Sequence, residues 1–483
     1  MILIVRVARA IRLHCRTVAL GFAVAFLGSL SPLAFSQTFT SGADNLVKRF
    51  CTNDCVQGGE KLAVDAAGNG MAVWVESGEK IVTARYYAAS GTWGNPAPLF
   101  NETGENVQIG VDGRGNVMAV WSRYIGEGTS AIYFSRYMAT NGAWRWTRPS
   151  IVDQGEAGLT LRDLVVGKNG DAMLLYRESY RPYDNFVRFD HATGTWAVSK
   201  NEFNLEHVKI VLDDVGNAVA VFAYNPGWYG YYGSVVSAHR YSVAAKQWDN
   251  GTTLDLHEVK YDDYGNYANG EAALRSLALS VDKSGNAIAF WEKAITKGTT
   301  TTRTVKTARF LKSRSAWVSK TIPQASGGKT FGAALAADKY NNVNAVWIQY
   351  VGAYARTLTA RYSSSTGAWT SPKVLQTGNF HSRDADIKTD TNGNSIATWS
   401  QRSDSGTGSW SGAIFRTTAA RYALQSNSWG SAVTVQNAYR NGHYAHQGID
   451  AKGRSLVMWT QHSGRVVNGV PVKEIRSDRI VPQ

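Results

Sequence analysis

Short runs of alternating apolar and polar residues recur from Leu62 to the C-terminus, and they recur in pairs. The first member of a pair reads apolar-x-apolar-Asp-x-x-Gly-Asn-x-x-Ala-Val-Trp, as in Val64-Asp65 to Trp74 and Val111-Asp112 to Trp121. It returns from Asp282 to Trp291, Asp338 to Trp347, Asp390 to Trp399 and Asp450 to Trp459, with looser copies from Gly167 to Tyr176 and Asp213 to Phe222. The second member reads Arg-Tyr, a short polar stretch, then Gly-x-Trp. It runs from Arg85-Tyr86 to Trp93, Arg136-Tyr137 to Trp144, Arg188-Phe189 to Trp196 and Arg240-Tyr241 to Trp248. Three further copies run from Arg309-Phe310 to Trp317, Arg361-Tyr362 to Trp369 and Arg421-Tyr422 to Trp429.

A period of two interrupted by a glycine turn predicts a tight hairpin, and two hairpins make a four-stranded unit. Units of roughly 45–70 residues fall near the length of a propeller blade, and a closed ring of blades removes exposed sheet edges. The pattern therefore predicts an all-β chain folded as a β-propeller of four-stranded blades. Eight blades are expected, or seven if the terminal pieces are irregular. The last unit ends without a Gly-x-Trp strand, and Arg476 is placed at its Arg position. The segment Thr38–Phe50 is expected to supply the missing outer strand, so that N- and C-terminal strands pair to close the ring.

The first 36 residues do not share this pattern. Arg6, Arg9, Arg12 and Arg16 precede an apolar stretch from Thr17 to Phe35, and Ala34-Phe35-Ser36 has the form of a cleavage site. Residues 1–36 read as a secretory signal peptide, with an uncleaved anchor as the alternative. Residues 37–61 form an N-terminal segment and 62–483 the propeller. After cleavage no membrane-spanning segment is expected, and the protein belongs in the periplasm or outside the cell. In that setting Cys51 and Cys55 are expected to form a disulfide.

The chain carries a net charge of +14, and since the four arginines are the only charges in residues 1–36, residues 37–483 keep +10. That balance favours an anionic partner such as an acidic polysaccharide or another surface polymer. Export and the lack of a clustered Lys/Arg motif argue against nucleic acid.

The repeat positions account for thirteen of the 16 tryptophans, which suits core packing between blades. The repeated acids Asp65, Asp112, Asp213, Asp282, Asp338, Asp390 and Asp450 sit at first-to-second strand turns. Arg85, Arg136, Arg240, Arg361 and Arg421 precede third-to-fourth strand turns at the same end of the blade. Structural Asp–Arg pairing is expected from that placement. Unit three has Gly167 in the Asp position and should lack or replace its pair. One Asp per unit is too few for a calcium site, and no metal or cofactor is expected.

This pattern resembles bacterial secreted propellers with Asp-x-x-Gly-Asn blades and, more distantly, the Asp-box propellers of the sialidase class. The resemblance covers Leu62 to the C-terminus and implies fold alone. Asp65 and Gly68 have two residues between them where an Asp-box has one, and no arginine triad with a Tyr–Glu pair stands out.

Functional chemistry is expected on the face that carries the long, unequal loops. Arg181, Tyr183, Trp228, Tyr229, Tyr231, Tyr232 and Trp410 are candidate ligand-binding residues there, since aromatics stack on sugar faces and Arg pairs with carboxylate or sulfate. Glu178, His381, Arg383 and His446 belong to the same group of polar and aromatic residues. The residue two after each second-strand aromatic, such as Glu76, Gln349 or Gln461, either lines the mouth of the central channel or turns to solvent. These features favour a binding module for carbohydrate or another anionic polymer. A polysaccharide lyase is the alternative, with His257, Tyr261, Arg440 and His443 supplying a base and a carboxylate-neutralising cation. A protein-interaction scaffold is the third reading, and the sequence leaves binding and catalysis both open.

Overall fold

The computed structural model describes residues 39–41, 45–49 and 59–482, less 77–79, 157, 180–182, 205–206, 225–233, 259, 261–268, 270, 324–327, 377, 404–414, 436–441 and 468–469. Cys51, Cys55 and residues 1–36 lie outside the described residues. Residues 37–483 form one compact unit.

Eight antiparallel sheets are arranged as the blades of a β-propeller, and a single 3-10 turn (Lys312–Arg314) is the only helical piece among the described residues. In each blade the first strand is innermost. These strands are Lys61–Val64, Glu105–Val111, Leu159–Val166, His207–Leu212, Glu271–Val281, Thr330–Ala337, Phe380–Thr389 and Gly442–Ile449. Each touches the next around the ring, and Lys61–Val64 meets Gly442–Ile449. The eighth sheet joins three C-terminal strands to Phe39–Ser41 and Asn45–Arg49, which pair with Val470–Pro482 as its outer strand.

The core lies in the seams between blades. Trp74, Trp121, Trp291, Trp347, Trp399 and Trp459 are fully buried. A buried indole N–H needs an acceptor, and the residue two positions on supplies it in three blades. Trp74 donates to Glu76 at 3.2 Å, Trp347 to Gln349 at 2.9 Å and Trp459 to Gln461 at 2.9 Å. These polar residues therefore hold the core tryptophans. The Arg-Tyr aromatic and the Gly-x-Trp indole meet in seven blades with ring centroids 5.3 to 5.7 Å apart.

The turn end of each blade is a hydrogen-bonded clamp. The Asp accepts backbone N–H groups two and four residues on, at 2.8–3.1 Å, in every blade but the third. The Asn after the glycine turns its carbonyl to the third-to-fourth turn, as Asn69 does for the N–H of Ala88 at 3.1 Å and Asn286 for Lys312 at 3.0 Å. The two turns of a blade are thus tied together.

Arginine completes the clamp. Arg85 lies 3.1 Å from Asp65, Arg309 2.8 Å from Asp282 and Arg136 3.9 Å from Asp112, while Arg361 donates to Asp338. Each guanidinium also covers an aromatic ring of the next blade. Arg85 stands 4.9 Å from the Tyr137 centroid, Arg309 4.8 Å from Tyr362 and Arg361 4.7 Å from Tyr422. The repeated Arg-Tyr pair is therefore a blade-to-blade relay, with Arg acting toward its own Asp and its neighbour's ring at once.

Four blades depart from the simple pairing. In blade 3 the turn is inverted: Asp171 stands at the Asn position, accepts Arg188 and the His191 N–H, and is hydrogen-bonded by Asn169. In blade 4 Arg240 packs 4.1 Å over Phe310, and Lys312 of blade 5 reaches Asp213 at 3.5 Å instead. In blade 7 burial draws Arg421 below its ordinary pKa, with Asp390 acting against that shift. In blade 8 the register corrects the Arg assignment. Arg476 faces Trp459 and donates to Glu474, Arg479 holds the repeat position opposite Leu456, and Arg454 pairs with Asp450. Without a Gly-x-Trp strand, that register had no marker in the sequence.

Candidate functional site

Four residues before the turn Asp (before Gly167 in blade 3), the inner strands place one residue each around the axis. These are Lys61, Gln108, Asp163, Lys209, Ala278, Ala334, Asp386 and His446. Just ahead of this level six of the eight strands slip register, with Asn106, Ser276, Gly332 and Asp384 at φ of 52° to 62°. Bulges of this kind re-aim side chains, and they concentrate at barrel rims and sites.

A cavity of about 440 Å³ opens at this level. Blades 3, 4, 7 and 8 contribute Asp163, Lys209, Asp384, Asp386, Lys388 and His446, whereas blades 5 and 6 contribute Ala278, Leu279, Ala333, Ala334 and Leu335. A second cavity of about 380 Å³ shares Asp163, Lys209 and Ala333 with the first and includes Arg162, Asp184, His207 and Ser276, which lie nearer the loop-rich end. The channel's charged side chains, interspersed with Ile210, Ala385 and Ala445, thus flank a patch of small apolar side chains from blades 5 and 6.

Its ionisable groups act on one another. Burial pushes the His446 imidazole down to about 4, with Lys61 pushing the same way, so the ring is neutral near pH 7. Burial also lowers the Lys61 ammonium, against the pull of Glu60 and Asp163. It raises the Asp163 carboxyl, against Lys209, Lys61 and Lys388. Toward the mouth, Arg177 holds Asp184 with two hydrogen bonds of 2.8 and 3.1 Å, and Arg162 lies 3.6 Å away. The ammonium groups and neutral imidazole suit carboxylate, sulfate and hydroxyl groups.

Among the described residues one cluster has metal-ligand composition: Asp171, Asp190 and His191 bring ligand atoms within 4.8 Å of one another. Both Asp171 oxygens are already engaged, by Arg188 and Asn169 on one side and by His191 on the other, so the cluster is an ion-pair network.

Most loop residues singled out from sequence lie outside the described residues: Arg181, Trp228, Tyr229, Tyr231, Tyr232, Tyr261, Trp410 and Arg440. Tyr183 begins the third strand of blade 3, Tyr183–Asp190. His257 is buried on an outer strand of blade 4, Thr252–His257, whereas His443 lies on the inner strand of blade 8. Those blades stand across the ring from each other, so the structure does not bring the two histidines to one reacting centre. His446, Arg383 and His381 are on inner strands, not loops. Arg383 covers the Phe415 ring at 3.7 Å, His381 packs against Tyr354, and only His446 lines the cavity. Lys61, Asp163, Lys209, Asp386 and Lys388 were not singled out, because they occupy the variable positions of the repeat. Reading down the position four before each turn finds all but Lys388.

No protein-family profile matches the chain, and no curated protein matches it in sequence. Solved propellers are similar in structure. The polysaccharide lyase Uly1 has a TM-score of 0.49 at 10% identity, covering 94% of this chain and 95% of its own. A PL25 ulvan lyase scores 0.44 at 13% identity, covering 75% and 93%. The leech intramolecular trans-sialidase scores 0.36 at 9% identity, covering 86% and 83%. No helix among the described residues is long and apolar enough to cross a membrane.

Proposed function

We propose that the protein is an exported binding propeller that seats a segment of an acidic polysaccharide at the loop-rich mouth of its axial channel. The observation that carries this reading is the cavity lining, in which Lys209 on one side and Lys388, Asp386 and His446 on the other flank a patch of alanines and leucines from blades 5 and 6. A sugar has polar edges and an apolar C–H face, and such a lining is complementary to both. The net positive charge draws an anionic chain toward the protein before contact.

The test is to pass residues 37–483 over immobilised neutral, uronate-containing and sulfated polysaccharides while following unsaturated-sugar absorbance. Retention on acidic polymers, weakened about tenfold by Lys209→Ala with Lys388→Ala and without new absorbance, is the expected result. Absorbance that grows with time on a uronate polymer would replace binding with lyase chemistry. Absence of retention across the panel removes the polysaccharide reading altogether.

A further inference from the structure

The opposite end of the ring presents a different surface. All the first-to-second turns have the same length, and each is closed by a backbone hydrogen bond from its fourth residue to its first, as from Gly68 to Asp65 at 2.9 Å and Gly285 to Asp282 at 2.9 Å. Equal turns make a level face around the turn end of the channel. The two residues after each turn Asp point outward from it, and five blades place a cation there: Arg114, Lys168, Lys283, Lys339 and Lys452. One acid, Asp214, occupies these positions, and it pairs with Lys168 at 2.9 Å. The outer turns add Lys246, Lys312 and Arg314 against Asp190. Val215 and Tyr340 project from the same ring, 60% and 57% exposed.

We propose that this turn face docks on an anionic lipid bilayer of phosphatidylglycerol type. A flat cationic disc with two apolar tips matches a flat anionic surface with an apolar interior, whereas a flexible polymer is better held in a groove. Docked this way, the loop-rich mouth faces away from the membrane.

The test is co-sedimentation of residues 37–483 with vesicles of equal parts phosphatidylglycerol and phosphatidylcholine, and with phosphatidylcholine alone, at low and high salt. Binding is expected on the anionic vesicles only and should weaken with salt. The triple variant Lys283→Glu, Lys339→Glu, Lys452→Glu should lower it more than tenfold, the milder Lys→Gln triple should lower it less, and Val215→Ser with Tyr340→Ser should reduce it severalfold. Retention on acidic polysaccharide should be unchanged in all three, which separates this proposal from the channel reading. Absence of binding to anionic vesicles, or binding indifferent to the triple reversal, overturns it. Loss of polysaccharide retention in the triple variants would assign the face to the polymer and overturn it equally.

Discussion

The two ends of one inner strand obey different rules. At the turn, seven blades place an Asp that accepts the same two backbone N–H groups, and blade 3 places Asp171 four residues later, at the Asn position, with the repeat's Arg, Arg188, as partner. Four residues upstream the same strands place Lys61, Gln108, Asp163, Lys209, Ala278, Ala334, Asp386 and His446. Uniformity marks the chemistry that every blade needs in order to stand beside its neighbours. Divergence marks the positions free to take on chemistry of their own, and a cavity of mixed charged and apolar lining lies there.

The largest expected effect lies at the uniform end. Asp282→Ala leaves Arg309 and the turn amides buried without their acceptor and should lower stability by about 3–5 kcal/mol, read from the denaturant midpoint. Asp171→Ala should cost a similar amount. A much smaller loss would show that the inverted turn of blade 3 is not equivalent to the rest. Arg361→Lys keeps the charge but loses the planar fork that reaches Asp338 and Asn344 and the stacking on Tyr422, and should cost about 1–2 kcal/mol by the same measurement.

At the divergent end the effects should be smaller and of another kind. The His446 pKa falls from an ordinary 6.5 to about 4 in the folded chain, so its contribution to stability is present above pH 6.5 and is lost as the pH falls toward 4. His446→Gln should therefore flatten the decline of the melting temperature across that interval. Asp163, whose carboxyl is raised by burial, acts with the opposite sign and is unchanged in the variant, so the comparison of variant with parent isolates the histidine. Lys209→Ala should change stability by no more than about 0.5 kcal/mol, because its side chain is exposed to the channel, while still weakening polysaccharide retention. A large stability loss there would erase the distinction between the two ends.

The same division explains what was legible in the sequence. Repetition reveals whatever recurs, so the blades and the core tryptophans could be read from spacing, and the strand missing from the last unit pointed to an N-terminal donor, found as Phe39–Ser41 and Asn45–Arg49. It is blind to a position defined by its differences, so the channel ring stayed hidden although its members stand at a fixed offset from each turn. It also misplaced Arg476, since a strand pair slides by three residues without changing the composition that a reader counts. The interblade reach of Arg85 to Tyr137 was invisible for a further reason: the two residues belong to different units, and a repeat describes one unit at a time.

Closure of blade 8 sets an order on the life of the chain. Phe39–Ser41 and Asn45–Arg49 are made ahead of all eight inner strands, yet their partner Val470–Pro482 follows the last of them, so the ring cannot be completed until every blade has been made. Contacts between residues this far apart in sequence are slow to form, so the seven other blades can be in place before the eighth is sealed.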